Sequence, residues 1–153
     1  MQDTMAGSRA GDFILMSKHI VLVLLFFLTL ACEPKIEESG VPSVAVNEDV
    51  NLNDIDNIAL KQLGGYIYIL GGVRGIIVIH ESLNLYRAYD RNCTFQPAEA
   101  SAVIDMNSSG FYMEDTSCTS TFDLNGFPSG GPAEFPLKEY QVSLTGDILF
   151  ISN

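Results

Sequence analysis

Cys93-Thr94-Phe95, then Cys118-Thr119-Ser120-Thr121-Phe122-Asp123, then Gly130-Gly131-Pro132-Ala133 and Pro136-Leu137 form the stretch whose reading decides this fold. Working outward, the flanking chain is built of short runs rich in branched and aromatic residues. They are Tyr66-Ile67-Tyr68-Ile69-Leu70, 76–79, 85–89, 102–105, 140–144 and 148–151. Runs of this length and composition predict strands, and Gly71-Gly72 and Thr145-Gly146-Asp147 supply the turns between them. Only 55–63 predicts a helical turn or two. With no internal repeat, the pattern is that of a single all-β domain.

The two cysteine segments resemble the two ligand loops of a Rieske iron–sulfur domain. That family writes Cys-x-His in the first loop and Cys-x-x-His in the second, so that two cysteines hold one iron and two histidines the other. Here Phe95 and Thr121 stand at the histidine positions, and neither side chain replaces imidazole on iron. Phe122-Asp123-Leu124-Asn125-Gly126 is similar to the Phe-Asp-x-x-Gly after the second ligand pair. Residues 131–140 resemble the Gly-Pro-Ala-x-x-Pro-Leu-x-x-Tyr segment that leads into a final hairpin. The resemblance covers roughly residues 44–153. It implies an antiparallel β-sandwich of small barrels with a small cluster-binding-type subdomain, here degenerate at Cys93, Phe95, Cys118 and Thr121.

Counting ligands bears on the cofactor that the resemblance would bring. Of the two histidines, His19 falls in a segment expected to be cleaved, and His80 ends the apolar run Gly75-Ile76-Ile77-Val78-Ile79-His80, upstream of both loops. Such a run predicts a buried strand, so His80 reads as a structural residue. Asp90, Asp115 and Asp123 offer oxygen, a hard donor poorly suited to a sulfide cluster. The expectation is therefore no cofactor and no metal. A [2Fe-2S] centre held by atypical ligands or by a partner chain is the first alternative. In the family the two cysteines share one iron, so the resemblance implies neighbouring sulfurs and a Cys93–Cys118 disulfide in an oxidising compartment. Closing a loop of about 26 residues would stabilise the fold by roughly 3 kcal/mol. Two separate buried thiols are the other reading, and without a Cys-x-x-Cys a redox-active bridge has no motif behind it.

The N-terminal third carries an address. Residues 20–30 are an unbroken apolar run, preceded by Lys18 and followed by Ala31-Cys32. At ~1.5 Å rise per residue the run is too short to span a bilayer, but it fits the h-region of a signal peptide. Leu28-Thr29-Leu30-Ala31-Cys32 resembles a bacterial lipobox, which implies a lipid on Cys32. The expected organisation is an N-terminal extension and signal peptide over 1–31, a lipidated tether over 32–43 and the Rieske-like domain over 44–153. Met16-Ser17-Lys18-His19 reads as a natural start. Glu33, where an aspartate would resemble an inner-membrane retention signal, favours the outer membrane. Cys32-Glu33-Pro34-Lys35-Ile36-Glu37-Glu38 resembles the surface-export tethers of some Bacteroidetes lipoproteins.

The chain carries 19 acidic against 8 basic residues, a formal net charge of −11. Residues 1–31 hold equal numbers of each, so the imbalance belongs to the remainder. That excess argues against nucleic acid as a partner, because phosphate recognition needs clustered Lys and Arg. It also disfavours electrostatic adsorption to anionic lipid, leaving the covalent lipid as the membrane contact. Asp49, Asn51 and Asn53 imitate the first ligands of a calcium loop, but Asp54 and Leu60 occupy the positions needing glycine and glutamate. Neither a Gly-x-Ser-x-Gly elbow nor a His-Glu-x-x-His pair is present. The expectation is a lipid-anchored, non-catalytic envelope protein. A solute- or glycan-binding module using Phe95, Phe127 and Phe135 is the second alternative.

Overall fold

A computed structural model describes residues 39–153 of the chain. The expected signal peptide, Cys32 and most of the expected tether lie outside the described residues. The expected all-β architecture is what the structure shows. Six strands form one antiparallel sheet: β1 (Asn47–Asn51), β2 (Tyr66–Ile69), β3 (Ile76–Ser82), β4 (Leu85–Asp90), β9 (Glu139–Thr145) and β10 (Ile148–Ser152). Their order is β1-β10-β9-β4-β3-β2. A second antiparallel sheet holds β5 (Asp105–Met106), β6 (Met113–Asp115), β7 (Ser120–Phe122) and β8 (Pro128–Gly130) in sequence order.

Strand β3 explains how the two sheets share one molecule. Successive side chains of a strand point to opposite faces, and in β3 both faces are buried. Ile76 and Val78 enter a core with Val50, Leu60, Ala88 and Leu149. Ile77 and Ile79 enter a second core with Tyr89, Cys93, Met113 and Phe122. This is why the run reads as continuously apolar rather than alternating. Each such side chain removed from water contributes roughly 1.5–3 kcal/mol. β4 divides in the same way, with Ala88 on the first core and Tyr89 on the second.

The ends of the chain meet at the large sheet's edge, where β1 pairs with β10 from Asn47↔Ser152 to Asn51↔Ile148. β10 folds back on β9 through Gly146. The ladder between β9 and β4 has two pairs, Ala88↔Tyr140 and Tyr89↔Glu139, so the final hairpin is tied to the first by a short ladder. The helical signal over 55–63 becomes a 3₁₀ helix, Ile55–Lys61, with Leu60 buried beneath it. Three departures from the sequence reading concern strands. The run at 102–105 forms strand only from Asp105, its earlier part making an isolated Asn92↔Val103 bridge. β1 occupies the polar segment Asn47–Asn51, where Val50 alone is fully inward, and β6, β7 and β8 are three-residue strands too short to show a period.

Candidate functional site

The site lies where three loops converge on the second core. The first leaves β4 and carries Cys93, whose backbone N–H donates to Ala102 O at 3.0 Å. Asn92, fully buried, donates from Nδ2 to the carbonyls of Cys93 and Pro97 and accepts Arg74 at Oδ1. These bonds satisfy a loop that leaves the sheet but stays inside the protein, as buried backbone polar groups require. The second loop is the four-residue tip of the β6–β7 hairpin, closed by the Asp115↔Ser120 pair and by Thr119 N–H to Asp115 O at 2.8 Å. Cys118 sits on that tip.

The third loop, from Gly131 to Lys138, clasps the other two. Ala133 N–H donates to Ser120 Oγ, and the Thr94 hydroxyl donates to Phe135 O at 2.7 Å. Gly131 has φ +79, and a Cβ there would meet the Thr119 carbonyl and lie 2.5 Å from Ser120 Cα. Glycine is needed twice over, for the left-handed backbone and for the close approach.

This arrangement sets Cys93 Sγ 3.8 Å from Cys118 Sγ, as two free thiols. The sulfurs are thus neighbours, at a separation longer than the ~2.05 Å of a disulfide bond. Asp115 joins them: one carboxylate oxygen and the two sulfurs all lie within 4.8 Å of one another. Cys93 and Asp115 are almost completely buried, while Cys118 is partly open to solvent. Burial pushes the Cys93 thiol up to about 12, with Asp115 and Cys118 adding to the rise and the Phe95 N–H opposing it. Cys93 is therefore a neutral thiol at pH ~7 and a poor nucleophile. Burial would raise the Asp115 carboxyl, but hydrogen bonds from the Ser117 hydroxyl and N–H, helped by the two nearby thiols, hold it below the usual carboxylate range.

A Rieske cluster does not fit these side chains. The cysteine half of the ligand set is in place, but the imidazole half is not. Phe95 packs into the second core, and Thr121 Oγ1 is engaged with Ser129 Oγ at 3.0 Å. His80, the one histidine among the described residues, is held elsewhere: its Nδ1 is 3.1 Å from Gln62 O and its ring stacks on Tyr86 at 4.4 Å. Neither contact involves a residue of the three loops. Of the other carboxylates considered from sequence, Asp90 accepts the Tyr140 hydroxyl and the Val73 N–H, and Asp123 accepts the N–H groups of Asn125 and Phe127. Asp90 is occupied by contacts distant in sequence and Asp123 by its own turn. Phe127 is exposed, whereas Phe95 and Phe135 are partly buried, so the three aromatics do not share one surface exposure.

The architecture and the paired cysteine loops define a Rieske-like fold. Among solved structures, the cyanobacterial plasma membrane Rieske protein from Synechocystis PCC 6803 aligns with a TM-score of 0.51 at 13% identity, covering 72% of this chain and 100% of that one. The ferredoxin of carbazole 1,9a-dioxygenase from Nocardioides aromaticivorans IC177 aligns at 0.46 and 16% identity, over 71% of this chain and 97% of its own. A hyperthermophilic respiratory Complex III chain aligns at 0.49 and 15% identity, over 91% and 96% respectively. Neither a protein-family model nor a curated protein matches the sequence. At these identities the likeness is one of fold.

Proposed function

We propose that this chain is a lipid-anchored protein of the bacterial cell envelope whose Rieske-like domain carries no iron–sulfur cluster and performs no catalysis. The observation that carries this reading is the fate of the two imidazole positions. Phe95 is part of a packed core and Thr121 is hydrogen-bonded to Ser129, so nothing at either place donates nitrogen to iron. Protein purified anaerobically is expected to be colourless, with no anisotropic electron-spin signal after dithionite reduction. Stoichiometric iron with acid-labile sulfide overturns the reading.

The envelope address rests on Leu28-Thr29-Leu30-Ala31-Cys32. Two acyl chains on Cys32 anchor durably, because each buried methylene contributes roughly 0.8 kcal/mol. The outer membrane is the favoured destination. Wild-type protein should fractionate with membranes, and Cys32→Ser should be either unprocessed or soluble. A Cys32→Ser variant processed and located like wild type removes the anchor from the account. In an oxidising envelope, metal-free Cys93 and Cys118 close to a disulfide by exchange with a disulfide donor, which takes the electrons as both thiol protons leave. Free-thiol titration of the denatured, unreduced Cys32→Ser chain measures that closure directly.

A further inference from the structure

Losing two ligands leaves a different set of donors behind. We infer that Cys93, Cys118 and Asp115 form a mononuclear site for a thiophilic divalent cation of the zinc class. The inference rests on the cluster-free reading above and names what the remaining half of the site takes instead.

Three features of the geometry point to it. Two thiolates at ~2.3 Å from a tetrahedral zinc ion stand about 3.8 Å apart, and Cys93 Sγ and Cys118 Sγ are 3.8 Å apart. The third donor is a carboxylate beside them: one Asp115 oxygen lies within 4.8 Å of both sulfurs, and contraction by about 1 Å brings all three to coordinating distance. Third, Asp115 is divided between two tasks. Its Oδ1 accepts the Ser117 N–H at 2.8 Å and the Ser117 hydroxyl at 2.6 Å. Its Oδ2 is buried with no hydrogen-bond partner. A buried carboxylate oxygen without a partner is costly, and Asp115 makes no ion pair among the described residues. A cation between the sulfurs and Oδ2 removes that cost.

The outer layer is also that of a metal site. Ligating groups are generally oriented by hydrogen bonds behind them. Ser117 holds Oδ1, and Ser120 Oγ lies 3.1 Å from Cys118 Sγ while accepting the Ala133 N–H. Thiolate and carboxylate together suit zinc better than calcium or magnesium, which take oxygen alone. Binding forms two metal–sulfur bonds and one metal–oxygen bond and releases the two thiol protons to solvent. Water fills the fourth position, on the side where Cys118 is open.

The test uses the full chain carrying Cys32→Ser, purified in detergent, fully reduced and free of oxygen. Titration with cobalt(II) alone should give a thiolate-to-cobalt charge-transfer band and the visible bands of a tetrahedral ion, saturating at a single ion per chain and bleached by zinc(II). Asp115→Asn, which keeps the shape, should weaken cobalt binding by ~10–100-fold or more. Cys118→Ser, at the partly exposed position, should abolish the charge-transfer band while circular dichroism shows the fold retained. A reduced, folded parent chain with no charge-transfer band at saturating cobalt overturns the inference, as does an Asp115→Asn chain that binds like the parent. Iron and sulfide in the isolated protein defeat the cluster-free reading, whereas a colourless protein that takes no cobalt defeats the zinc-class site alone.

Discussion

The two faces of β3 bury cores made in different ways. On one face, Ile76 and Val78 meet Val50, Leu149 and Ile151, side chains delivered by ladders of four or more paired residues. On the other, Ile77 and Ile79 meet Cys93, Met113 and Phe122, which arrive on strands of three residues or on loops. There the backbone is held by side-chain bonds such as Thr94 to Phe135 and Ser120 to Ala133. A frame built from long ladders tolerates changes in the loops that hang from it, because none of its pairings passes through them. Phe95 and Thr121 can therefore stand at their positions while the architecture stays Rieske-like.

Truncating one large side chain in each core is the strongest way to break this contrast. Phe122→Ala should cost ~3–5 kcal/mol and Leu149→Ala ~2–5 kcal/mol, both read from urea unfolding of the reduced chain. The contrast is in the thiols: Phe122→Ala should speed modification of folded Cys93, and Leu149→Ala should leave that rate at the parent value. Equal acceleration by both would show the two cores acting as one cooperative unit. Gly131→Ala comes next, at about 1–3 kcal/mol for a non-glycine residue forced into the left-handed region, with the Thr119 carbonyl in its way. It should perturb the Cys118 tip before the large sheet, which amide exchange resolves strand by strand.

The frame has its own polar anchor, and a single substitution isolates its share of the pH dependence. The Tyr140 hydroxyl donates to Asp90 Oδ2 at 2.7 Å, and burial together with Asp90 raises its pKa. A tyrosine raised on folding stabilises fully below its unfolded value of about 10 and loses that contribution as pH rises through the folded value. Stability should fall above pH ~10, and Tyr140→Phe should remove the Tyr140 share of that fall while costing about 1.5 kcal/mol at pH ~7 for the lost bond to a carboxylate. The smallest effect belongs to Thr121→Val. The side chain bonds only Ser129, at a partly open edge, so the change should stay within ±0.5 kcal/mol. A larger loss would mean that Thr121 supports the fold.

What could be read from the chain follows from how each part encodes itself. The runs at 66–70, 76–79, 85–89, 140–144 and 148–151 announced strands because several apolar residues recur at strand spacing, and all five are strands of the large sheet. The Asn47–Asn51 strand was hidden because its residues are mostly polar and its place is set by pairing with β10, about a hundred residues away. The strands of the small sheet were hidden by length. At the site, the closeness of Cys93 and Cys118 was legible through resemblance. Asp115 was visible only as one carboxylate among three, and the nearest local signal was Asp115-x-Ser117-Cys118, a side-chain turn at a hairpin tip.

The sequence by itself determined five strands of the large sheet, the acidic balance and the absence of histidine from both cysteine loops, since each is a matter of which residues occur and in what order. Only the tertiary structure decided that β3 serves two cores, that the sulfurs stand 3.8 Å apart and that Asp115 leaves one buried oxygen without a partner. Cys93 and Cys118 lie on different sheets' loops, and no local rule fixes the distance between them. It is fixed by the packing of the two sheets across β3 and by the third loop that closes over both.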